Sequence, residues 1–128
     1  MNKNKEHITT MHAEHTTWKK ELAFARDEME TFKNRLGEIA SRNTGTDVLS
    51  KLEQLQNQII RQNEVVDELD HSINVHEDEL VANAKANQVA VDHRQMPDHA
   101  GLREGMETFR KLFAELKSDL SRFLSTTM

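Results

Sequence analysis

Two histidines, His15 and His76, occupy positions that the helical repeat around them otherwise gives to apolar residues. Imidazole binds first-row metals as the neutral ring and changes charge near neutral pH, so a histidine pair set inside a helical core can do chemistry. Glu14 adjoins His15, Glu79 lies one turn beyond His76, and His12 lies one turn before His15. Two imidazoles and two carboxylates converging between helices make a donor set suited to zinc, iron or manganese, and helical bundles do build metal sites from facing side chains. The candidate metal ligands are therefore His15, His76, Glu79 and Glu14, with His12 able to join after a slight rotation of its helix. A structural role competes, because a polar layer in an apolar seam fixes register as a buried Asn does. A third role is pH response, since two facing rings repel once both are protonated.

Other histidines carry weaker signals. The Glu68-Leu69-Asp70-His71 run has the Glu-x-x-His spacing used by ferritin-like di-iron bundles, yet neither a second copy nor the partner glutamates accompany it. His71 falls on the outer helix face, where solvation accounts for it. Asp92-His93 and Asp98-His99 flank a linker and read as capping and loop solvation, with adventitious metal capture as the lesser alternative. The chain has no cysteine, which removes disulfides and thiolate ligands. No nucleophile–base pair or oxyanion-stabilising motif stands in the sequence, so it reads as non-enzymatic. The favoured function is a structural or protein-interaction role, with a metal-binding His/Glu layer as the alternative.

Composition narrows the partners. A net charge of −5 with interleaved acidic and basic residues, and no basic aromatic-rich face, argues against nucleic acid. No apolar stretch approaches the roughly 20 residues of a membrane span. Residues 1–18 are polar and lack the apolar segment of a signal peptide, which makes the cytoplasm the expected location.

The elements that must position these residues are helical. Four glycines and one proline in 128 residues, with abundant Glu, Lys, Leu, Ala and Gln, favour helix throughout. Ile8, Met11, His15, Trp18, Leu22, Ala25, Met29, Phe32, Leu36 and Ile39 alternate spacings of four and three, the mark of a helix with one packed seam. Leu52, Leu55, Ile59, Gln62, Val66, Leu69, Ile73, His76 and Leu80 repeat the pattern, and a third seam runs from Leu102 through Met106, Phe109, Phe113, Leu116 and Leu120 to Phe123, with His99 one step ahead of it.

A turn at Gly45-Thr46, with Gly45 as C-cap, pairs the first two seams antiparallel. His15 then meets His76, Trp18 meets Ile73 and Met11 meets Leu80, while His12, Lys19 and Arg26 flank Glu77, Asp70 and Asn63. The stripe Glu14, Glu21, Glu28 matches Arg103, Arg110, Lys117 if the first and third helices run parallel.

The expected fold is all-α: an up-down-up three-helix bundle on a long antiparallel coiled-coil hairpin, forming a single domain over residues 1–128. Helix 1 covers about 5–42, helix 2 about 47–90, the linker about 91–97 and helix 3 about 98–126. At ~1.5 Å per residue the third helix is shorter than the hairpin arms. Leu36, Ile39, Leu52 and Leu55 at the tip would then be left bare, which predicts a homodimer through that surface.

Overall fold

A computed structural model of the chain describes residues 3–42, 45–86 and 96–127. Three helices account for all of these except Gly45: α1 (Lys3–Arg42), α2 (Thr46–Ala86) and α3 (Met96–Thr127). Each packs on the other two, giving the expected all-α three-helix bundle.

The spaced apolar positions become the core. On α1 the buried set is Met11, His15, Trp18, Leu22, Ala25, Met29, Leu36 and Ile39; on α2 it is Leu52, Leu55, Ile59, Val66, Ile73, His76 and Leu80. On α3 it is His99, Met106, Phe109, Phe113, Leu116, Leu120, Phe123 and Leu124. Burying a Leu, Ile, Met or Phe side chain stabilises by about 1.5–3 kcal/mol, so these seams, rather than surface charges, hold the helices together. Among the described residues no helix is long and apolar enough to cross a membrane.

The turn works differently from the sequence expectation. No described residue has a positive φ, so Gly45 is not a left-handed C-cap. Its carbonyl instead accepts the Leu49 N–H at 3.0 Å, which makes it the N-cap of α2. The third helix begins at Met96, ahead of Asp98, with Pro97 in its first turn, where a missing N–H costs nothing. The end of helix 2 expected at 89–91, and Asp92 and His93, lie outside the described residues.

Ion pairs fix the orientation of α3. Glu14 pairs with Arg103 at 2.6 Å, Glu21 with Arg110 at 2.6 Å and Glu28 with Lys117 at 3.4 Å, a constant offset along the chain that requires α1 and α3 to run parallel. All six side chains are 28–48% exposed, so each pair contributes roughly 0–1 kcal/mol and selects direction more than it adds stability.

The antiparallel register also holds: His15 meets His76, and Met11 packs with Leu80. Of the flanking pairs, His12–Glu77 forms at 2.7 Å. Lys19 instead donates to Asn74, and Arg26 reaches Asp67 at 2.6 Å, not Asn63. Helical side chains lean toward their own N-terminus, which on α1 is the direction of rising residue number on α2.

The hairpin tip corrects the expectation of a bare surface. Leu36, Ile39, Leu52 and Leu55 are 0–4% exposed within the single chain and share one core with Phe123 and Leu124. The length comparison was sound, but the offset set by the ion pairs slides α3 until Thr127 is about level with Glu38. Those four residues offer no surface to a second copy.

Candidate metal centre

The histidine layer takes one ring from each helix. His15 lies on the α1 seam between Met11 and Trp18, and His76 lies opposite it on α2 between Ile73 and Leu80. His99 precedes Met106, Phe113 and Leu120 on α3 at a constant interval of seven. The three residues are 2%, 4% and 3% exposed. Their ring centroids stand 5.0 Å apart for His15–His76, 5.0 Å for His15–His99 and 5.5 Å for His76–His99. Trp18 closes one side, stacked on His99 at 4.9 Å with an interplanar angle of 23°.

Two carboxylates decide where the ring protons sit. His15 Nδ1 is 2.7 Å from Glu77 Oε1, and His99 Nε2 is 3.1 Å from Glu14 Oε1. A carboxylate can only accept, so His15 carries its proton on Nδ1 and His99 carries its proton on Nε2. The remaining lone pairs, on His15 Nε2 and His99 Nδ1, belong to the interior. His15 Nε2 accepts from His76 Nδ1 at 2.9 Å. His99 Nδ1 is buried with no hydrogen-bond partner.

The electrostatics keep these lone pairs available. Burial pushes His15 below the usual histidine value, outweighing the hydrogen bond to Glu77 that pulls it up. Burial does the same to His99 against the pull of Glu14. Both shifts favour the neutral ring, the form that binds metal. The Arg103 guanidinium, gripping both Glu14 oxygens at 2.6 and 3.2 Å, lowers the Glu14 carboxyl against the cost of burial. Burial raises the Glu77 carboxyl, but hydrogen bonds from His15 and His12 together outweigh it, and the group lies below the ordinary carboxylate range.

The donor set fits a metal. One ring nitrogen from each of His15, His76 and His99 lies within 4.8 Å of the other two. Tetrahedral zinc, with Zn–N of about 2.0–2.1 Å, places its nitrogens roughly 3.3 Å apart, so small shifts of the rings would close the set. Carboxylates on the outer nitrogens of His15 and His99 match the usual support of metal-bound imidazole, which fixes ring orientation and raises basicity.

The structure brings together His15 and His76 as the sequence expected. Glu14 sits one step out, holding His99 rather than facing the ring cluster. His12, 63% exposed at its side chain, hydrogen-bonds Glu77 at 2.7 Å. Glu79 is exposed and lines a groove between α2 and α3, outside the histidine group; His71 is exposed on the same groove. Sequence reasoning missed His99 and Glu77 as site residues. His99 signalled itself by extending the third seam, and Glu77 by flanking His12. Elsewhere, Gln62 is half-buried with its Oε1 lacking a hydrogen-bond partner. No protein-family model, curated protein or solved structure matches the chain.

Proposed function

We propose that the chain is a metal-binding helical bundle that holds a divalent first-row cation, zinc foremost, on His15, His76 and His99. One observation carries this reading: three buried imidazoles, one per helix, have nitrogens within 4.8 Å of each other, and one of them, His99 Nδ1, lacks any hydrogen-bond partner. A buried lone pair without a partner costs about 1–3 kcal/mol, a cost that a bound cation removes. An all-nitrogen set favours zinc over calcium and magnesium, which take oxygen, and over manganese, which takes carboxylate. On binding, the Nδ1 proton of His76 would move to Nε2 of the same ring, and the Glu77 carboxylate would offset part of the added charge, Glu14 being paired already with Arg103.

The structural reading is favoured by the 2.9 Å His15–His76 bond, which satisfies those two nitrogens without metal. Titration of chelator-stripped protein with Zn²⁺, followed by calorimetry and Trp18 fluorescence, separates the two readings. The metal site requires saturation at one zinc per chain with a raised Tm, and loss of both in His15→Ala/His76→Ala. Equal weak binding by wild type and variant would leave the layer as a register device.

A further inference from the structure

Zinc takes four donors, and among the described residues the histidine group supplies three, with no fourth His, Cys, Asp or Glu in the cluster. Three protein ligands with a vacant position are the arrangement of zinc sites that bind exogenous ligands, whereas structural sites are closed by four. The vacant position needs a path to solvent, and two grooves reach the layer. The one between α1 and α3, about 110 Å³, includes His99 and Met11 but is walled by Glu14 and Arg103, the ion pair that holds His99 in place. The one between α2 and α3, about 490 Å³, has His76 in its wall together with Val75, Glu79, Asp98 and Gly101.

Gly101 borders open space in that larger groove: a Cβ added there would meet nothing within 4 Å. Val75 opposite is 42% exposed, so neither wall is packed shut. A dication held by three neutral imidazoles attracts an anionic donor atom, while Glu79 and Asp98 at the rim repel multiply charged anions.

The geometry points to a fourth coordination position that opens onto the α2–α3 groove and takes a small monoanionic ligand, hydroxide at rest and a small carboxylate-class anion in its place. This rests on the metal reading above. Such a ligand enters between Val75 and Gly101, displaces the hydroxide, and leaves the three histidine nitrogens in place. Mono-anions are selected over phosphate and sulfate by the acidic rim.

The test uses Co²⁺ in the metal-stripped full chain, because its visible spectrum reports coordination number and ligand exchange. Azide and acetate are titrated against the Co²⁺ protein, with sulfate as the comparison anion. The expected result is a saturable spectral change with azide and acetate, at least tenfold weaker with sulfate. In Gly101→Phe, and independently in Val75→Trp, Co²⁺ should still bind while the azide response weakens at least tenfold. A Co²⁺ spectrum indifferent to azide overturns the open position but leaves the metal site standing. A response that both groove variants retain at full strength overturns the route, and a failure of Co²⁺ to bind sinks this inference together with the reading it rests on.

Discussion

His99 makes one bond and forgoes another: its Nε2 meets Glu14, while its Nδ1 is buried without a partner. His99→Met keeps comparable volume and removes the orphan nitrogen at the cost of the Glu14 bond. Urea unfolding of the metal-free variant is expected within about 1 kcal/mol of the parent, since the two effects oppose. Zinc should no longer raise its Tm. A loss of several kcal/mol without metal would mean the ring is needed for packing alone.

Protons compete at the same atoms. His15 and His99 are held below the usual value of 6.5 by burial, so the unfolded chain binds protons first as pH falls. Metal-free stability is then full above about pH 6.5 and declines below it, with a limiting slope of about 1.4 kcal/mol per pH unit for each ring. Glu14 and Glu77, also lowered in the folded state, add in the same direction below their ordinary 4.5. Urea midpoints measured from neutral pH downward should show the upper phase shrink in His15→Leu/His99→Met; an undiminished phase assigns it elsewhere. The sequence made the His15–His76 pair legible because both sit on unbroken seams. His99 was harder to read, since an Asp-His pair beside a proline also fits a helix cap. Glu77 and Glu79 differ by two residues, about 200° of helix rotation, and only the packed register tells which one reaches the rings.

At the scale of the helices, α3 carries both of its glycines in its first third. A Cβ at Gly101 meets nothing within 4 Å, whereas one at Gly105 meets Leu69 Cδ2 at 3.1 Å. Helix propensity favours Ala over Gly by roughly 0.8–1 kcal/mol at either position. Gly101→Ala should gain most of that, while Gly105→Ala should gain less, because the Leu69 side chain must give way by a few tenths of an ångström. Thermal unfolding of the two variants side by side checks this; equal gains would show that the α2–α3 approach is looser than described. The direction of α3 was legible in its basic stripe, because Arg103, Arg110 and Lys117 recur at the same interval of seven as Glu14, Glu21 and Glu28. Its offset was not, since a length comparison says how much of the hairpin a helix covers but not which end. The ion pairs supply that missing coordinate, and they put α3 over Leu36 and Ile39.

Across the whole molecule, the histidine layer divides the apolar interior into unequal parts. Among the described residues, one core runs continuously from Trp18 and Ile73 to Phe123 and Leu124, and the other holds Met11 and Leu80, with Ile8 against them. The described apolar contacts there contribute about a few kcal/mol, and the histidines join them to the main core through polar rather than apolar contacts. The end of the bundle beyond His15 and His76 is thus suited to opening as a separate cooperative unit, at a free energy well below that of global unfolding. A metal bound on the layer would tie all three helices at that boundary and resist such opening in proportion to the logarithm of its concentration over Kd. In hydrogen–deuterium exchange, amides of residues 8–14 and 77–83 should exchange through local opening without zinc and slow markedly with it. Amides between Leu22 and Leu36 should exchange slowly in both states. Uniform slowing along the chain would mean that the bundle opens only as one piece; slowing confined to the small end would make the metal a latch on a hinged terminus.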